Sequence, residues 1–176
     1  MSDTDLPPSQ NIHPPINTIM TSHDIILRVE ELSPDELSEA EKSLCEAARR
    51  ATYRSYSPYS HFSVGAALLL NNGTIIGGAN QENAAYPSGM CAERTAAYYA
   101  GAQYPGIPFL MIAIAARDTD GQPLETPVTP CGACRQALLE YEKRSGIPIR
   151  LLLAGTKKVY RLPSVASTLP LAFDDF

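Results

Sequence analysis

The 176-residue chain has no apolar run long enough to cross a membrane. Its longest, "FLMIAIAA" from Phe109 to Ala116, falls far short of the roughly 20 residues a helical span needs. The first twenty residues hold no basic stretch leading into an apolar core, so they do not read as a secretory leader, and the expected compartment is the cytoplasm. Positive charge is in short supply. With 14 Lys and Arg against 19 Asp and Glu, the net charge is −5, which offers no broad cationic surface to nucleic acid or an acidic membrane. Tyr53, Tyr56, Tyr59, Tyr98 and Tyr99 are not interleaved with basic residues as a base-stacking platform would be. Cysteine is scarce too: four thiols are no disulfide scaffold, and in a reducing compartment a Cys-x-x-Cys reads first as a metal or redox site.

What remains is an ordinary globular composition, 44% hydrophobic and 19% charged, in a length suited to one domain. Residues 1–32 read as an N-terminal extension, its first 22 or so proline-rich, polar and loosely attached. Residues 33–176 read as the folded domain. Ser33, Pro34 and Glu36 form a capping-box pattern that opens a helix running to about Tyr53, with Leu37, Leu44, Ala48 and Ala51 on one face. "FSVGAALLL" and "TIIGGAN" read as two strands joined at Asn71-Asn72-Gly73. A helix begins near Cys91, "FLMIAIAA" is a buried strand, and a second helix runs from near Cys131 to Gly146 as its C-cap. "PIRLLLAG" and "KKVYRL" add two more strands. The order α-β-β-α-β-α-β-β predicts an α/β fold, a three-layer α/β/α sandwich around a mixed five-stranded sheet.

The chemistry sits where those two helices begin. Cys91, Cys131 and Cys134 give the spacing C-x39-C-x2-C. Zinc takes sulfur ligands in tetrahedral geometry at about 2.3 Å, and catalytic zinc keeps three protein ligands with the fourth position open to water. Glu93, two residues after Cys91 on the same first turn, is placed to move a proton to and from that water. Three thiolates on one zinc ion leave a net charge of about −1, which opposes ionising the water. Two helix N-termini offset this, each equivalent to about half a positive charge. Arg94 and Arg135 are the candidates to donate hydrogen bonds to the thiolates, against the plainer reading of surface ion pairs. By spacing alone a closed four-thiolate site completed by Cys45 stays open, although Cys45 falls mid-helix beside the apolar stripe and reads as a small buried hydrophobe.

"CAER" followed by "PCGACRQ" resembles the cytidine deaminase family, whose zinc signature pairs a His- or Cys-x-Glu element with P-C-x-x-C. Cys91 in place of His is similar to the three-cysteine branch that acts on free nucleosides. "PYSHFSVGAALL" and "GGANQENAAYPSGMCAER" also resemble that family, and by motif the likeness runs from about Ala47 to Phe176. The resemblance implies one zinc ion per chain on Cys91, Cys131 and Cys134, with Glu93 as the proton carrier. It implies that Phe62 packs near the pyrimidine and ribose, that Asn80 and Glu82 hydrogen-bond the sugar hydroxyls, and that the Ala92 N–H faces the base. It further implies a homotetramer with shared active sites, Phe173 and Tyr86 reaching a neighbouring subunit. The implied reaction is hydrolytic deamination of cytidine and 2′-deoxycytidine in pyrimidine salvage. Ser63 departs from the family, which often has Pro there; this removes a rigid φ and no chemical group. Two rivals remain: a related deaminase acting on an aminonucleoside antibiotic of the blasticidin type, and a zinc-stabilised binding module without turnover.

Overall fold

The computed structural model describes residues 22–174, so most of the segment expected to be loosely attached lies outside the described residues. Six strands form one sheet: β1 (Glu30–Leu32), β2 (Ser63–Leu70), β3 (Ile75–Ala79), β4 (Phe109–Arg117), β5 (Arg150–Ala154) and β6 (Val159–Leu162). Three α-helices accompany them: α1 (Glu39–Ala51), α2 (Ala92–Gln103) and α3 (Gly132–Ser145). The strand order is β1-β6-β5-β4-β2-β3, with β4 and β5 parallel and every other neighbouring pair antiparallel. Parallel neighbours need a long crossover, and α3 supplies it.

The sheet therefore has six strands, not the five expected. The added strand, β1, falls within residues 1–32 and pairs with β6, in register Glu31↔Tyr160. Its two glutamates show no apolar alternation to read. Pairing and charge hold it instead: Arg161 meets Glu30 at 2.6 Å and Lys158 meets Glu31 at 3.3 Å. The first helix also starts later than expected. The Ser33–Glu36 capping box forms, but it closes only a single 3-10 turn, because Leu37 is extended at φ −73°, ψ 145°. Ser38 then caps α1 with a second box, accepting from the Glu41 N–H. Leu44, Ala48 and Ala51 are buried on one face of α1, as their spacing predicts; Leu37 is buried too, but from the extended residue ahead of the helix.

Period-two alternation sorts the strand side chains between two clusters. Ala67, Ala113, Ala115 and Leu152 pack with Leu44, Cys45 and Ala48 of α1. Ala66, Leu68, Ile112, Ile114, Leu151 and Leu153 pack with Ala92, Ala96 and Ala100 of α2 and with Leu138 and Leu139 of α3. Gly78 sets how closely α2 approaches the sheet: a Cβ there would stand 2.5 Å from the Ala96 nitrogen and 2.6 Å from the Ala92 oxygen. Glycine at this one position lets the first turns of α2, with Ala92 and Glu93, lie directly on β3.

Candidate metal centre and adjoining cavity

Cys91 and Cys131 are the N-cap residues of α2 and α3, both in extended conformation, and Cys134 lies in the first turn of α3. The sheet brings the two helix starts together. Cys91 and Cys131 sulfurs are 4.0 Å apart, Cys131 and Cys134 sulfurs 3.5 Å, and all three lie within 4.8 Å of one another. Ligands at about 2.3 Å from a tetrahedral metal stand about 3.8 Å from each other, so the donor set fits zinc without rearrangement. Among the described residues the group holds only these three. Cys45 belongs to the α1 cluster, where burial pushes its thiol up to about 11. The four-thiolate alternative is thereby excluded.

The hydrogen bond from Cys134, then that from Arg94, holds the Cys91 thiol down at about 5. The Cys134 thiol is correspondingly raised, by that same bond and by burial. Arg94 donates to the Cys91 sulfur at 3.7 Å, and its Nε is buried with no hydrogen-bond partner among the described residues. Arg135 goes elsewhere. Its guanidinium donates to the carbonyls of Pro130 at 2.8 Å and Thr168 at 3.2 Å, so it ties α3 to the loop before it and to the C-terminal segment rather than to the sulfurs. Glu93 is 4% exposed, and burial raises its carboxyl above the usual range.

A cavity of about 320 Å³ opens beside the thiols, lined by Cys91, Ala92, Glu93, Cys131, Phe62, Asn80 and Glu82. Seven of the residues named from the sequence thus share one space. The zinc-binding region of cytidine and deoxycytidylate deaminases matches residues 38–147, which hold all three cysteines and Glu93. The chain belongs to that family. Its relatives include the cytidine deaminase of Sporosarcina psychrophila, 43% identical over 136 residues, spanning 77% of this chain and 91% of that protein. The cytidine deaminase of Halalkalibacterium halodurans is 44% identical over 97 residues, 55% of this chain and 68% of that one. Among solved structures, the cytidine deaminase from Burkholderia pseudomallei superposes with a TM-score of 0.64 at 38% identity, covering 74% of this chain and 97% of its own.

In the same cavity, Asn80 and Glu82 are held by the chain itself. Asn80 Oδ1 accepts from Ser55 Oγ at 2.6 Å and from the Val64 N–H at 2.8 Å, while its Nδ2 donates to the Phe62 carbonyl at 3.0 Å. Two acceptor sites and one of two donors are used, leaving one N–H. Glu82 Oε2 accepts from the Tyr59 and Ser60 N–H groups at 2.9 and 3.3 Å, and Oε1 accepts from Ser60 Oγ. Three of about four acceptor sites are used, leaving one. Ser60, Val128 and Thr129 line the same cavity and were not singled out from the sequence. A serine in a tyrosine-rich turn and two residues preceding "PCGAC" carry no spacing signal. Tyr86 is exposed, edge-on to Tyr59 at 6.1 Å, and borders a neighbouring hollow with Asn80, Glu82 and Arg94. Phe173 is exposed and does not line the cavity; its carbonyl accepts from Gln136 on α3 at 2.7 Å.

Proposed function

We propose that the chain hydrolyses cytidine and 2′-deoxycytidine to uridine and 2′-deoxyuridine with release of ammonia, as a cytoplasmic enzyme of pyrimidine salvage. The observation that carries this reading is the single cavity, lined by a buried carboxylate, Glu93, by Cys91 and Cys131 of the three-thiol cluster, and by a pair of groups with one free donor and one free acceptor. One zinc ion per chain is held by Cys91, Cys131 and Cys134. Bound there, zinc supplies a Lewis acid that makes water nucleophilic near neutral pH. Glu93 takes one proton from the attacking water and delivers it to N3 of the base, then takes the second from the new C4 hydroxyl and hands it to the amino group as the C4–N bond breaks, leaving the C4 carbonyl and ammonia. The Ala92 N–H faces the base, and Phe62 packs against the pyrimidine and ribose. Arg94 steadies the Cys91 thiolate, a role its 3.7 Å contact supports; Arg135 acts on the centre only through the loop it braces.

The sugar end bears on substrate range. One free N–H on Asn80 and one free acceptor on Glu82 match a single hydroxyl, which accepts from the first and donates to the second. A group read in this way is satisfied by one sugar oxygen, so ribose and 2′-deoxyribose are both taken when that oxygen is the 3′-hydroxyl. The two packing clusters support a three-layer α/β/α arrangement. Residues 33–176 form the catalytic unit, and residues 1–32 are an extension that lends β1 to its sheet. Assembly is a homotetramer in which Tyr86 and Phe173 complete neighbouring sites, a reading supported by their exposure and by the exposed Leu171 beside Phe173. The test is loss of cytidine absorbance with release of ammonia, run beside Glu93→Gln. A protein that binds zinc stoichiometrically but leaves every cytosine nucleoside unchanged would overturn the reading.

A further inference from the structure

We infer that Ser60 is a positioning residue whose hydroxyl sets the direction of the carboxylate that reads the sugar. Ser60 Oγ donates to Glu82 Oε1 and accepts from the Phe62 N–H at 3.1 Å, while the Ser60 N–H donates to Glu82 Oε2. Both carboxylate oxygens are therefore tied to one residue, 22 positions away in sequence. His61, between Ser60 and Phe62, sits at φ +56° and is the one described non-glycine residue with positive φ. That left-handed step folds the turn so that the hydroxyl of Ser60 and the N–H of Phe62 meet, and the His61 N–H closes it on the Ser57 carbonyl at 3.0 Å.

The consequence is directional. The terminal torsion of a glutamate is broad, so a carboxylate held at Oε2 alone, by backbone bonds of 2.9 and 3.3 Å, keeps a wider range of tilt than one held at both oxygens. With Oε1 also fixed, its one unused acceptor site keeps a constant direction into the cavity. Losing the hydroxyl loosens the carboxylate at Oε1, while the backbone bonds from Tyr59 and Ser60 keep Oε2 and the turn in place. The expected defect is thus in substrate binding and is specific to the sugar hydroxyl that Glu82 meets. This inference rests on Glu82 being the sugar contact.

The experiment compares wild type, Ser60→Ala, Ser60→Thr, Glu82→Ala and the Ser60→Ala/Glu82→Ala double variant on cytidine and 3′-deoxycytidine, with zinc content and melting temperature recorded for each. Ser60→Ala is expected to raise KM for cytidine about tenfold with kcat within about twofold, and to leave KM for 3′-deoxycytidine unchanged. Ser60→Thr, which keeps the hydroxyl, should fall within about threefold of wild type. In the Glu82→Ala background, removing the hydroxyl should add nothing further. An equal rise in KM for both nucleosides, or full additivity in the double variant, would overturn the inference. If Glu82→Ala itself leaves KM for cytidine unchanged, the sugar-contact reading fails and the inference falls with it. If Glu82→Ala raises KM and Ser60→Ala does not, only the inference fails.

Discussion

The two ends of the cavity are built by different means. At the thiol end, every functional group comes from a helix start packed on the sheet, with Ala92 and Cys134 fully buried and Glu93 nearly so. At the proposed sugar contact, Phe62, Asn80 and Glu82 come from strand ends and turns, and side-chain hydrogen bonds from Ser55 and Ser60 hold Asn80 and Glu82. Packing immobilises Ala92, Glu93 and Cys134 of the first set, with Cys91 half-buried and Cys131 exposed, and hydrogen-bonded turns hold the second. Helices seated on a sheet keep ångström-level geometry, which proton transfer and a metal both demand, whereas a sugar contact tolerates a turn. Damage at the thiol end should therefore fall on metal content and kcat, and damage at the sugar end on KM.

The largest effect should come from Cys134→Ala. It removes a fully buried ligand and leaves two thiols, so zinc content measured by metal analysis should drop well below one per chain and turnover should vanish. Melting temperature should fall too, because metal binding is coupled to folding. Full zinc occupancy in this variant would break the distinction drawn above. Next is Glu93→Gln, expected to keep zinc and the fold while losing about 10²–10⁴-fold in kcat. A loss under about tenfold would mean that another group carries the proton.

Gly78→Ala tests whether packing is what fixes the thiol end. It touches no ligand, yet its Cβ would press on the backbone of α2 within 2.6 Å, which typically costs about 1–3 kcal/mol. Thermal denaturation should show that loss, together with weaker zinc retention in a chelator titration. Unchanged zinc affinity would separate the metal site from the helix seat. Arg94→Gln should weaken zinc retention or activity by about tenfold, since it deletes the contact to the Cys91 sulfur. Arg135→Gln should leave zinc retention within about twofold, its partners being carbonyls. A reversal of that pair, read in the same titration, would reassign the two arginines. Smallest is Ser55→Ala, expected to raise KM for cytidine only a few-fold, because the Val64 N–H still holds Asn80 Oδ1.

Much of this was legible from local pattern. Gly146 as the C-cap of α3, at φ +66°, was readable because a cap is a contact between neighbours in sequence. The buried stripe Leu44, Ala48, Ala51 and the β2–β3 hairpin at Asn71–Gly73 were readable for the same reason. That Cys91, Cys131 and Cys134 would gather into one cluster was readable because thiols at helix starts with this spacing suit a shared metal. Where the local signal was ambiguous, the chain chose differently: the Ser33 box closed one turn, and the helix waited for Ser38.

Tertiary structure decided the meetings between residues distant in sequence. Three sulfurs separated by up to 42 residues of chain close to within 4.8 Å because α2 and α3 start at the same end of one sheet. β1 exists because β6 offers it an edge and two cations, not because Glu30 and Glu31 favour a strand. The arginines look alike beside their motifs, yet Arg94 reaches sulfur and Arg135 reaches carbonyls, since the surroundings of each helix start differ. Ser60 gained its place through Glu82, across a turn that no residue spacing announces. The sequence by itself carried which chemical groups the chain possesses and where its helices and hairpin turn. Which groups come within hydrogen-bonding or ligand distance was settled by the folded chain, because such distances depend on how elements far apart in sequence pack together.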